Sequence, residues 1–156
     1  MPVSAIPAGY HSITPYLTVV GVPQAIEFYK AAFGATEGVR LDMPDGSVAH
    51  AELKIGDSHI MMGEENPAWG NKSPHTLGGT PAGCMLYVED CDAVFAKAVE
   101  LGARAEMPVS DQFYGDRSGT VFCPFGHKWT IATHIEDLTS DQMKQRMDDW
   151  VKSMGA

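Results

Sequence analysis

In the stretch VAHAELKIG (residues 48–56) apolar and polar residues alternate, so Ala49, Ala51, Leu53 and Ile55 fall on one face of a strand and His50, Glu52 and Lys54 on the other. An imidazole and a carboxylate two positions apart on one face could orient a ligand. They could also serve as base and acid where partial burial tunes their pKa values. The same pattern suits a solvated polar face, with an incidental ion pair to Arg117 or Lys54. A second group lies in DQFYGDRSG (residues 111–119), where Phe113, Tyr114 and Arg117 stand among an amide, paired charges and glycines, a composition that fits the rim of a pocket. Arg117 could grip a carboxylate or phosphate with two parallel N–H groups, or form a structural salt bridge with Asp116 or Glu52. Tyr16 carries a hydroxyl on an apolar ring, which serves small-molecule binding and core filling equally well. On the last strand Trp129 and Ile131 share one side and Thr130, Ala132 and His134 the other, His134 late enough that a capping or surface role stands beside ligand contact. Trp69 could close over a pocket or anchor its own loop. The chain has no GxSxG, Walker, GxGxxG or HExxH motif, and His75 and Cys84 have no third partner in the sequence that would make them a nucleophilic pair.

The elements that would position these residues are written twice. AIEFYKAAFGA (Ala25 to Ala35) lies over AVFAKAVELGA (Ala93 to Ala103), pairing Ile26 with Val94, Phe33 with Leu101 and Gly34 with Gly102. YLTVV (16–20) falls on CMLYV (84–88), and IGDSHIMMG (55–63) on FGHKWTIAT (125–133). In the first copy Val22, Ile26, Tyr29 and Phe33 trace a helical stripe that starts at Pro23 and stops at Gly34. In the second Asp90 is the cap, Val94, Phe95, Ala98 and Leu101 the stripe, and Gly102 the stop. Strands are expected near 36–43, 48–55 and 58–64, and again near 104–110, 117–123 and 128–134, with His127 shaping the last turn. The unit is therefore β-α-β-β-β, twice. Residues 65–81 read as a long exposed connection rich in Pro, Gly and Asn. At the end, Thr139 and Gln142 form a capping box, and Met143, Met147, Trp150, Val151 and Met154 line one face of a helix over 139–154 that must cover either the domain or a second subunit.

The chain has 156 residues, within reach of one domain with a real core. Eleven Lys and Arg against twenty Asp and Glu give a net charge of −9, which argues against nucleic acid and against an acidic membrane surface, because both partners draw affinity from clustered cations. The N-terminal segment lacks the pattern of a signal peptide and no stretch reaches the ~20 apolar residues of a membrane span, so a cytoplasmic location is expected. Cys84, Cys91 and Cys123 have no paired spacing and are expected to be reduced thiols.

Two β-α-β-β-β units resemble the glyoxalase/bleomycin-resistance group, the vicinal-oxygen-chelate superfamily, over nearly the whole chain. YHSITPYLTV (10–19), AIEFYKAAFGA, HAELKIGDS (50–58), LYVED (86–90) and DQFYGDRSGTV…PFGHKWTIATH (111–134) look like its PhnB-like branch. The resemblance implies an α+β fold in which two modules, about 12–65 and 82–136, form curved mixed sheets around a concave pocket, with helices on the convex side and commonly a homodimer. It aims His50 and Glu52 inward. The branch usually has Asp where this chain has Cys123, a change that could alter the turn or place a thiol near the pocket rim. Metalloenzymes of the superfamily hold a divalent ion with four His or Glu side chains, and the matching positions here are Thr14, Ile60, Ala82 and Thr130, none of which is a ligand for such an ion. The expectation is a protein that binds a small organic molecule without metal or other cofactor, through Tyr16, His50, Glu52, Trp69, Phe113, Tyr114, Arg117 and Thr130. The rival expectation is a lyase, isomerase or dioxygenase, either metal-dependent or using His50 and Glu52 as acid and base.

Overall fold

The computed structural model describes residues 2–155. It contains two compact units, one of residues 2–82 with 124–127, the other of residues 83–123 with 128–155. The N-terminal unit runs β1 (Tyr16–Val19), α1 (Val22–Phe33), β2 (Thr36–Asp42), β3 (Val48–Ile55) and β4 (Ser58–Glu64). Its strands are ordered β1-β4-β3-β2, with β1 parallel to β4 and the other pairs antiparallel. Helix α1 begins at a glycine with no side chain to cap it; instead the Glu64 carboxylate at the end of β4 accepts from the backbone N–H of Gly21 (2.7 Å) and Val22 (3.0 Å). A carboxylate there also meets the positive end of the helix dipole. The expected stripe of Val22, Ile26, Tyr29 and Phe33 is buried, and Gly34 ends the helix at φ 69°.

The side of β3 under α1 is formed by Ala51, Leu53 and Ile55, all buried, together with Val48. Ala49, expected among them, is exposed, because the pairing with β2 slips between Leu41–His50 and Asp42–Val48. An irregularity of this kind inserts a residue and swaps faces beyond it. The connection after β4 is less bare than the sequence suggests: it holds a single 3-10 turn (Pro67–Trp69), a bridge between Asn66 and Asn71, and the short helix α2 (Pro74–Leu77). Ser73, fully buried, caps α2 through its hydroxyl, and its N–H donates to Glu65 (2.7 Å). The turn 124–127 packs in this unit as well, Phe125 edge-on to Phe28 and His127 Nε2 donating to the Thr18 carbonyl (2.9 Å). Burial holds the His127 imidazole below its ordinary pKa.

The C-terminal unit runs β5 (Gly83–Tyr87), α3 (Cys91–Glu100), β6 (Arg104–Asp111), β7 (Asp116–Phe122), β8 (Lys128–His134) and α4 (Ser140–Ser153), with strand order β5-β8-β7-β6. Among the described residues, eight strands in two four-stranded mixed sheets and four α-helices make the fold α+β, as the resemblance implies. Asp90 caps α3 through the N–H of Ala93 (3.1 Å), and the capping box of Thr139 and Gln142 closes on α4. Helix α3 sits shallower than its sequence stripe suggests: Cys91 and Ala98 are buried, Val94 and Phe95 half-buried, and Leu101 exposed. The apolar face of α4 is partly met within the unit, by Phe113 against Trp150, while Arg146 grips Glu136 with two N–H groups. Among the described residues Cys84, Cys91 and Cys123 form no disulfide, and Cys123 is buried, so its thiol stands at no rim. Among the described residues no helix is long and apolar enough to cross a membrane.

At the open end of this unit His134 bridges two carboxylates, Nδ1 to Asp116 (2.8 Å) and Nε2 to Asp137 (2.7 Å), while the Tyr87 hydroxyl donates to the other oxygen of Asp116 (2.8 Å). The bond to Asp116 first, then that to Asp137, raises the His134 pKa above its ordinary 6.5. A base that holds its proton more tightly when folded contributes stability that is full below the unfolded value and lost as pH rises through the folded one. The urea midpoint of the wild type should therefore fall from about pH 6.5 upward relative to that of His134→Gln; parallel curves between pH 6 and 9 would refute the bridge. A second test concerns Gly119 on β7, where a Cβ would lie 2.8 Å from both the Phe95 ring and a Val109 methyl. Gly119→Ala should cost about 1–3 kcal/mol in the same unfolding assay.

Candidate functional site

The face of the N-terminal sheet away from α1 carries the alternate residues of its strands: Tyr16 and Thr18 of β1, His50 and Glu52 of β3, His59 and Met61 of β4. The burial of Leu17, Val19, Ala51, Leu53, Ile60 and Met62 on the opposite side forces this outcome. The Glu52 carboxylate accepts from the Tyr10 hydroxyl through Oε2 (2.5 Å) and lies 3.2 Å from His50 Nε2 through Oε1. His50 Nδ1 in turn stands 3.1 Å from the Tyr16 hydroxyl. Tyr10 stacks on His59 with ring centroids 4.1 Å apart. The result is a continuous line, Tyr10–Glu52–His50–Tyr16, across one sheet face.

The Tyr10 hydroxyl, then the His50 imidazole, hold the Glu52 carboxyl below the usual carboxylate range. Burial, followed by its bond and charge contact with Glu52, pushes the Tyr10 phenol up to about 12. At neutral pH the pair is therefore a phenol donating to a carboxylate. Tyr16 continues from the end of this line into a hollow of about 440 Å³, whose wall also includes Thr18, Val48, Asn66, Trp69 and Asn71. The irregular turn and bridge after β4 are what bring Asn66, Trp69 and Asn71 to that wall. Among the described residues the wall carries three carboxylates, Asp45, Glu64 and Glu65, and no Lys or Arg. Each is already bonded: Asp45 to Ser47, Glu64 to the start of α1, Glu65 to Ser73. The Ser47 contacts lower the pKa of Asp45, and those from Thr76 and Ser73 lower that of Glu65.

Of the residues singled out from sequence, Tyr16, His50 and Glu52 come together, and Trp69, 73% exposed, shares the hollow with Tyr16. The others lie in the C-terminal unit and do different work there. Arg117 is spent: its Nε and one terminal nitrogen clamp Asp92 of α3 (2.7 and 2.9 Å) and the other meets Asp111 (2.9 Å), which raises its pKa further. Its partners are thus neither Asp116 nor Glu52, because β7 turns Arg117 toward the helix side. Phe113 and Tyr114 meet edge-on at 5.2 Å, and Phe113 packs against Trp150 of α4 with ring centroids 5.4 Å apart. Thr130 bonds Thr120 on the neighbouring strand (3.1 Å). The alternation of β3 and the motif spacings single out neither Tyr10 nor His59. His59 could have been found by extending the β4 alternation outward from Met61; Tyr10 precedes β1 in a segment without periodicity and gives no such signal.

The four superfamily metal positions do not fit a divalent ion. Ile60 is buried on the helix side, Thr130 is bonded to Thr120, and Thr14 and Ala82 lie outside the strands and offer at most one hydroxyl. Among the described residues no group of three or more His, Cys, Asp or Glu side chains could hold a metal ion.

A Mycobacterium bovis protein of uncharacterized function is 38% identical over 139 residues, covering 87% of this chain and 91% of its own. The crystal structure of an Arabidopsis thaliana gene product, 28% identical, superposes with a TM-score of 0.62 over 79% of this chain and 98% of that one. The PhnB protein from Bacillus cereus, 18% identical, shares the fold with a TM-score of 0.61 over 79% and 99% of the two chains. A family model matches residues 10–131, and with the doubled β-α-β-β-β plan this establishes that the chain belongs to the Glyoxalase/Bleomycin resistance protein/Dioxygenase superfamily.

Proposed function

We propose that the chain is a small-molecule-binding protein of the PhnB-like kind, working in the cytoplasm as a homodimer and taking an uncharged organic molecule into the hollow of its N-terminal sheet without a metal. The observation that carries this reading is the hollow itself, about 440 Å³ with Tyr16 and Trp69 in its wall. That volume lies in the range of ligand pockets, roughly 300–1,000 Å³. Two aromatic rings supply contact area at little entropic cost, while Asn66, Asn71 and Thr18 supply neutral polar anchors. An anionic ligand meets three carboxylates and no cation at the wall, so a phosphonate finds no counter-charge there. The similarity to PhnB proteins supports the class of protein and not that ligand.

The uncharged dye N-phenyl-1-naphthylamine should bind with enhanced emission. Tyr16→Ala and Trp69→Ala should each weaken it roughly tenfold, as the loss of ~1–1.5 kcal/mol of aromatic contact requires. Arg117→Gln, which alters the other unit, should leave the affinity unchanged. Equal affinity in wild type, Tyr16→Ala and Trp69→Ala would refute the site.

A further inference from the structure

The line Tyr10–Glu52–His50–Tyr16 contains more proton-handling machinery than a binding wall needs. Glu52, held as a carboxylate, has no proton to give, so both its neighbours must donate to it. Nε2 of His50 therefore carries a hydrogen. In the uncharged ring Nδ1 is then a lone-pair acceptor, and it faces the Tyr16 hydroxyl at 3.1 Å. The arrangement is that of a carboxylate orienting an imidazole, which in turn acts as base toward a hydroxyl. The contrast with Tyr87 is informative, since that hydroxyl donates to the Asp116 carboxylate, whose bond and charge raise its pKa. Shape as well as bonding places Tyr16: a Cβ at Gly63 on β4 would stand 2.9 Å from the Tyr16 hydroxyl, so the absence of a side chain there leaves room for the phenol. Both Tyr16 and Gly63 belong to the wall of the hollow.

We propose that the hollow is a site of reaction as well as of binding, in which Tyr16 takes a proton from, and returns one to, an uncharged carbonyl compound. His50 is its base partner, and Glu52 and Tyr10 are positioning residues; the proposal rests on the binding reading above. In the forward step a C–H bond beside the carbonyl breaks and its proton passes to the Tyr16 oxygen. The Tyr16 hydroxyl proton moves to His50 Nδ1, and the C–H electron pair flows to the carbonyl oxygen as an enolate. Glu52 stabilises the resulting imidazolium, and the side-chain amides of Asn66 and Asn71 are the neutral donors at the wall for the enolate oxygen. In the return step Tyr16 gives its proton to oxygen or to carbon and recovers one from His50, so no oxidant, reductant or cofactor is consumed. The three wall carboxylates restrict the substrate to uncharged carbonyls, since an oxo acid would enter against like charge.

The test uses the full chain in D₂O with phenylacetone, following loss of its methylene signal by proton NMR and binding by the Trp69-dependent quenching that Trp69→Phe abolishes. Wild type should accelerate exchange over buffer, and Tyr16→Phe and His50→Gln should each lower the rate ~10²-fold or more with quenching retained. Glu52→Gln should lower it while shifting the ¹⁵N resonances of His50 from an Nε2-protonated ring toward a mixture of tautomers, a change that a merely structural role would not produce. Quenching without exchange above the buffer rate, or equal exchange in wild type and Tyr16→Phe, overturns the chemistry and leaves the binding reading standing. Absence of quenching overturns the carbonyl class and this proposal with it, and the naphthylamine titration then decides the binding reading separately.

Discussion

The two-residue period of β3 constrains everything else in the N-terminal unit. Ala51, Leu53 and Ile55 are driven under α1 because each gains from leaving water, by about 25 cal/mol for every Å² of apolar surface removed. A strand that commits these three must turn His50 and Glu52 to the other face, whatever chemistry they then perform. A slip of one residue would bury an imidazole and a carboxylate against Ile26 and Tyr29, at a cost of several kcal/mol that no helix residue there could offset. The irregularity at Ala49 occurs before this run and so leaves it intact, while turning Val48 toward both the core and the wall of the hollow.

The two halves of the chain use one frame with different fittings. In each, the end of the last strand supplies the group that meets the first helical N–H: the Glu64 carboxylate for Val22 in one, the Thr133 hydroxyl for Cys91 (3.0 Å) in the other. In each, a tyrosine, a histidine and a carboxylate assemble on the face away from the helix. In the N-terminal unit the imidazole separates the carboxylate from the outer tyrosine, whereas in the C-terminal unit the Asp116 carboxylate stands between Tyr87 and His134. That exchange of order changes the chemistry. A tyrosine beside an imidazole has a base to hand its proton to, while a tyrosine beside a carboxylate is held as a donor. The repeat thus preserves the frame and lets each half differ in what its open face can do.

The frame was legible because its signals are local. Pro23, Gly34, Asp90 and the Thr139–Gln142 box each act within one turn of chain, and the observed helices begin and end beside them. The pair His50 and Glu52 was legible for the same reason, being set by alternation along one strand. What could not be read depends on residues distant in sequence. The clamp on Arg117 needs Asp92, twenty-five positions earlier on a helix, and the seat of Trp150 needs Phe113 in another element. Tyr10 reaches Glu52 across forty-two positions from a segment with no period at all. The order within the connection after β4 is not legible in its Pro, Gly and Asn content, because it rests on a buried serine and a bridge between two asparagines, neither of which has a compositional signature.

Charge connects the whole chain to its hollow. Arginine is the side chain best suited to holding a phosphonate or carboxylate, through two parallel N–H groups. Arg117 has those groups, but they are directed to Asp92 and Asp111. Withdrawing it would leave two carboxylates without their partner, so an anionic ligand would have to compete with a bidentate pair already formed. At the hollow the balance is worse still, since like charges ~7 Å apart repel by about 2 kcal/mol even at an effective dielectric constant near 20. At this wall an anion would face three carboxylates with two neutral amides and no counter-charge to offset them. Three of the twenty acidic side chains of a chain with net charge −9 stand at this wall, so on the proposed reading an anion meets like charge there, whereas an uncharged molecule is sorted by shape and by hydrogen bonding.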